Sequence, residues 1–63
     1  MTKQFWFKDY FVIMEKQGNG SVRVVASNDD YSDYIREVFY DYPASYIVSK
    51  IKSDIRFRLA ARA

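Results

Sequence analysis

Asp29, Asp30 and Asp33 stand close together in the chain, an oxygen-rich cluster of the kind that can hold Mg²⁺. Phosphoryl chemistry on such an ion also calls for a Gly-rich loop to cradle phosphates, and none accompanies them. The chain contains no Cys and no His. That removes thiolate nucleophiles, imidazole acid–base catalysis, disulfides and zinc sites together. Carboxylates, Tyr and Lys are the acid–base groups that remain, and a domain of 63 residues has little room for a cleft that excludes water. The residues therefore point away from an enzyme, and they call for no metal and no cofactor.

Binding chemistry is better represented. Lys50, Lys52, Arg56, Arg58 and Arg62 crowd the C-terminal end, opposed there by Asp54 alone. Asp29, Asp30, Asp33, Glu37 and Asp41 crowd the middle, opposed there by Arg36 alone. The net charge of +2 is too small to imply nucleic-acid binding by itself and too positive for an acidic nucleic-acid mimic. Alternating Lys and Arg can meet phosphates or an acidic protein surface, and they also serve to keep an exposed strand soluble. No RNA-recognition signature and no GXXG loop is present. The rings are the second resource: five Phe, six Tyr and one Trp. Phe5, Trp6, Phe7, Tyr10 and Phe11 are more rings than one side of a small core absorbs, and exposed aromatics with Arg are typical of interface hot spots. Burial in the core, or in a homodimer, is the simpler role for any single ring.

These residues must be held by one domain, in the size range where a single core leaves a narrow stability margin. Each buried ring contributes roughly 1.5–3 kcal/mol, which offsets the missing disulfides. Lys8 and Asp9 interrupt the first apolar run, so neither a signal peptide nor a membrane span is read, and the expectation is a cytoplasmic protein without membrane contact. "FWFKDYFVIMEK" reads as a first strand that is apolar on both faces, "QGNG" as a hairpin turn and "SVRVVAS" as the next strand. Tyr31, Tyr34, Ile35, Val38, Phe39 and Tyr42 fall at steps of three and four and predict a helix, with Ser32, Asp33, Arg36, Glu37 and Asp41 on its other side. Ser27 with Asp30 has capping-box spacing, Asn28 is an equal cap, and Asp29 and Asp30 complement the helix dipole.

Pro43 ends that predicted helix. Two readings follow it. In one, Ile47, Val48, Ile51, Ile55 and Leu59 share a face of a second helix that Pro43 opens. In the other, "SYIVSKI" and "IRFRLA" pair as a hairpin across "KSD", with Tyr46, Val48, Lys50, Lys52, Arg56 and Arg58 turned away from the Ile47, Ile51 and Ile55 side. The β-branched and aromatic residues at 45–48 favour the hairpin, as does the need of two strands for further partners. The predicted fold is α+β, an antiparallel sheet of three or four strands with one helix packed on one face (ββαβ or ββαββ), with ββαα as the alternative.

With that layout the chain resembles very small phage-encoded ββαβ proteins, among them the T-odd phage inhibitors of bacterial RNA polymerase. "QFW" at 4–6 is similar to their opening strand. "YPASYIVSKIKS" at 42–53 is similar to their helix exit and last strand. Lys50 and Lys52 stand where that family carries Arg, "KQGNG" replaces a more acidic loop, and "DIRFRLAARA" has no counterpart there. The resemblance implies a phage protein acting in the host cell, with basic residues of the last strand touching the target. Joined to the charge pattern, it suggests host takeover or anti-defence: inhibition of the transcription machinery or an antiviral nuclease complex by steric occlusion. The expected contacts are Trp6, Tyr10, Tyr46, Lys50, Lys52, Arg56 and Arg58. The acidic helix face of Asp29, Asp30, Asp33, Glu37 and Asp41 is the alternative partner surface. Two rival expectations are a nucleic-acid-binding module using the basic C-terminal face and a small homo-oligomeric structural protein.

Overall fold

The first aromatic run forms two strands rather than one. In the computed structural model, which describes residues 2–62, Lys8 and Asp9 make a tight turn between β1 (Thr2–Phe7) and β2 (Tyr10–Lys16). Phe7 pairs with Tyr10 across it, and Lys8 has φ 57°. A positive φ at the first central residue alone is the pattern of a type II′ turn, a position usually held by Gly. With Lys there, the sequence carries no visible turn signal. The second hairpin is where it was read: β3 (Val22–Asn28) follows residues 17–21, with Gly20 at φ 90° and the Ser21 N–H donating to Asn19 Oδ1 at 3.0 Å.

Residues 34–39 are a strand, β4 (Tyr34–Phe39), and not the expected helix. It pairs antiparallel with β3, completing a four-stranded sheet in the order β1-β2-β3-β4. The apolar steps of three and four arise from alternation on two apolar faces. Ile35 and Phe39 are buried, whereas Tyr34 and Val38 lie exposed on the opposite face. No helix is present for Ser27 and Asp30 to cap. Asn28 instead fastens the connection 28–33: its side chain donates to Ser32 Oγ at 2.8 Å and accepts the Asp33 N–H at 3.0 Å. The acidic residues are accordingly spread over a connection (Asp29, Asp30, Asp33), a strand (Glu37) and the segment after it (Asp41), so the acidic helix face does not exist.

The preferred hairpin at the C-terminal end is also overturned, because Ala44–Arg62 is one helix, α1. Pro43 directly precedes it, and its carbonyl accepts the N–H groups of Tyr46 at 3.1 Å and Ile47 at 3.2 Å. A proline costs nothing in that place, since no intrahelical partner awaits its missing N–H. Strand propensity at 45–48 is worth a few tenths of a kcal/mol per residue. Burial of Ile47, Ile51 and Ile55, each fully enclosed, is worth roughly 1.5–3 kcal/mol apiece and decides for the helix. The observed order is ββββα, within the expected α+β class.

These three isoleucines share one buried cluster with Tyr10, Val12 and Met14 of β2, Val24 and Ala26 of β3, and Ile35 and Phe39 of β4. Phe5, Phe7, Val22, Val48 and Leu59 border it. No helix among the described residues is long and apolar enough to cross a membrane.

Candidate interaction surface

The pairing register sorts the sheet into two faces. Tyr10, Val12, Met14, Val24, Ala26, Ile35 and Phe39 belong to the cluster that holds the helical isoleucines, and Phe5 and Phe7 pack against it. Their neighbours along each strand point the other way. On that second face Trp6, Phe11, Ser27 and Tyr34 form one cross-strand row, and Gln4, Ile13, Val25 and Arg36 the next. Thr2, Glu15, Arg23 and Val38 make the third. No described element covers these rows. Trp6 is 62% exposed, Tyr34 57% and Val38 45%, while Phe11, Ile13 and Val25 are half-buried. Trp6 leans on Phe11 with ring centroids 5.1 Å apart. Charge is sparse on this face: Arg23 donates to Glu15 at 2.6 Å, and Arg36 makes no side-chain ion pair among the described residues. An uncovered apolar sheet face with two prominent rings is a surface suited to association.

The helix disperses the basic patch that a hairpin would have gathered. Lys50 donates to both Asp54 oxygens at 3.1 Å, which raises the affinity of its amine for the proton. Arg58 donates to Asp33 Oδ1 at 2.9 Å. Lys52 and Arg56 lie on the other flank, at the β1 edge. The Lys52 ammonium is 5.3 Å from the Phe7 ring centre and 5.9 Å from that of Phe5, and the Arg56 guanidinium is 5.1 Å from Phe7. Lys8 reaches the same Phe7 ring at 5.8 Å. Four of the expected contact residues thus split into two self-neutralised cations and two that remain on a small basic flank.

Tyr10 and Tyr46 fare differently. Tyr10 is fully buried, and its hydroxyl donates to Asp33 Oδ2 while accepting from Arg62 Nη2 at 3.1 Å. Burial first, and then the bond to Asp33, pushes its pKa up to about 12. The same hydroxyl is the main cause holding the Asp33 carboxyl below the usual range. This network ties the 28–33 connection to the end of α1, beside a shallow cleft of about 420 Å³ lined by Ser32, Asp33, Phe57, Arg58, Ala61 and Arg62. Tyr46 is exposed in the first turn of α1 and stacks on Tyr42 at 4.6 Å. Glu37 faces α1 from β4; burial, then hydrogen bonding with Asp54, raises its pKa.

Of the expected contacts, Trp6 alone lies on the open face. Phe11, named with Trp6 in the surplus of rings, lies there too, whereas Ile13, Val25, Tyr34, Arg36 and Val38 on the same face were not singled out from sequence as contacts. No apolar–polar alternation marks them, because 10–16 and 34–39 carry apolar residues on both faces. No group of three or more Asp and Glu among the described residues is arranged to hold a metal ion. Comparison with family models, curated proteins and solved structures gives no match to this chain.

Proposed function

We propose that the chain is a small phage-type protein that binds a host macromolecular complex, the transcription machinery or an antiviral nuclease complex, and inhibits it by steric occlusion. The observation that carries this reading is the uncovered sheet face with Trp6, Phe11, Ile13, Val25, Tyr34 and Val38. Four strands about 4.8 Å apart and about six residues long give that face a flat footprint of about 400 Å². A standard stable interface buries about 800 Å² on each partner. A host partner therefore has to reach past the sheet, and the β1 edge with Lys8, Lys52 and Arg56 is the adjoining surface that adds steering charge. Purified bacterial RNA polymerase and a purified antiviral nuclease complex provide the test. Wild-type protein is expected to inhibit one of them in proportion to dose, with Trp6→Glu at least about tenfold weaker. Loss of neither activity, or equal potency of Trp6→Glu, sinks the reading.

A second reading rests on the basic flank itself: Lys8, Lys52 and Arg56 around the Phe5 and Phe7 rings could follow a nucleic-acid backbone. It requires a gel shift at low salt that fades with added salt and with Lys52→Glu/Arg56→Glu. Absence of any shift at low salt eliminates it.

A further inference from the structure

The three rows of the open face are complementary to themselves in one specific orientation. A two-fold axis lying in the face and parallel to the strands places β1 over β4 and β2 over β3 of a second copy, with each row kept at its own height. Trp6 then lies over the second copy's Tyr34, and Phe11 over the small Ser27. Ile13 meets Val25, and Gln4 meets Arg36, which has no side-chain ion pair among the described residues. Glu15 meets Arg23 and Arg23 meets Glu15, so the Glu15–Arg23 ion pair becomes a four-charge network. Large opposes small or aromatic, and no like charges meet. The alternative in-plane axis, perpendicular to the strands, reverses the rows. It sets Arg36 on Arg36 and the Phe11 ring on Glu15, which costs charge repulsion and desolvation.

We infer that the free protein pairs with a second copy of itself, open face on open face, about a two-fold axis parallel to the strands. The product is a four-layer helix–sheet–sheet–helix arrangement with aligned sheets. Two footprints of about 400 Å² total about 800 Å², below the about 1,200 Å² at which stable interfaces begin, so the pair is weak and forms as concentration rises. The pairing does not depend on what the host target is. Its consequence does rest on the function proposed above: self-pairing occupies the face that the target needs, and a target that also engages Lys52 and Arg56 displaces the second copy.

Sedimentation velocity between about 5 µM and 1 mM, with Trp6 emission recorded on the same samples, tests the pairing. The expected result is a concentration-dependent monomer–dimer equilibrium, with blue-shifted, quencher-protected Trp6 emission in the dimer. Trp6→Glu and Val38→Lys, each confirmed folded by circular dichroism, are expected to weaken the dimer by more than about tenfold. Gln4→Glu discriminates the orientation. It is expected to tighten the dimer about three- to tenfold at low salt through two new pairs with Arg36, since Gln4 and Arg36 lie on opposite edge strands within one copy. A monomer at every concentration overturns the inference, as does a dimer indifferent to Trp6→Glu and Val38→Lys. Weakening by Gln4→Glu overturns the strand-parallel axis. None of these outcomes bears on inhibition of a host complex, which is read separately in the activity assays.

Discussion

At the residue scale, Tyr10 is the most heavily used side chain outside the apolar contacts. Its ring is enclosed in the core, and its hydroxyl joins Asp33, Arg58 and Arg62 into one network. Tyr10→Phe keeps the ring and removes the hydroxyl, leaving Asp33 short of a donor. The expected cost is about 1–3 kcal/mol at neutral pH, read by denaturant unfolding. The folded pKa of about 12 lies above the ordinary value of 10.0. The native state therefore holds this proton more tightly, and the associated stability is complete below about pH 10 and is lost as pH rises toward about 12. The gap between wild type and Tyr10→Phe should narrow over that window. Glu37 is raised as well, so its contribution is present at acid pH and lost as pH climbs through its folded pKa. Glu37→Gln imitates the protonated form. It is expected to melt above wild type at pH 7 and level with it at about pH 3. A melting point lowered at pH 7 would mean that the attraction of Lys50 and Arg58 for Glu37 outweighs its burial.

At the scale of elements, the strands at residues 34–39 and 2–16 were harder to read than the β2–β3 hairpin, and for one physical reason. A half-solvated strand normally alternates apolar with polar, which makes its period visible. Here the solvent-facing positions Trp6, Phe11, Ile13, Tyr34 and Val38 are themselves apolar. In 31–42 the surplus imitates a helical stripe, and in 5–16 it hides the turn at Lys8. The misreading and the candidate surface therefore share a cause: apolar side chains on the outer face blur the pattern that marks the fold. The helix 44–62 was misread by a different route, since Ile47, Val48, Ile51 and Ile55 have strand propensity while the spacing of four from Ile47 to Ile51 to Ile55 carries the helix. Burial settled what propensity could not. The hairpin turn at 17–21 was legible because Asn19 and Gly20 supply its chemistry directly. The helix face gives a sharp contrast in stability. Ile51→Ala is expected to cost about 2–5 kcal/mol, enough to unfold much of so small a domain. Phe57→Ala, on the exposed side of α1, should stay within about 0.5 kcal/mol. Thermal melts of the two variants check this, and similar losses would mean that Phe57 is packed in solution.

At the scale of the whole molecule, one helix and a four-stranded sheet share a single buried cluster, and no described element covers the sheet's other face. A domain with so little core gains nothing in stability from displaying Trp6, Tyr34 and Val38 to water. Of the two partners proposed, a second copy would cover that face weakly and a host complex more extensively, both through the same rows. Helix formation at 44–62 moves the proposed recognition surface from the basic C-terminal end toward the sheet, with Lys52 and Arg56 left as an adjoining flank. Hydroxyl-radical footprinting of the protein bound to the host complex proposed as its target tests this placement most directly, because Trp6 and Tyr34 lie on the open face while Phe57 lies on the exposed side of the helix. Protection of Trp6 and Tyr34 with Phe57 still reactive is the expected result; protection of Phe57 with Trp6 and Tyr34 unchanged would contradict it.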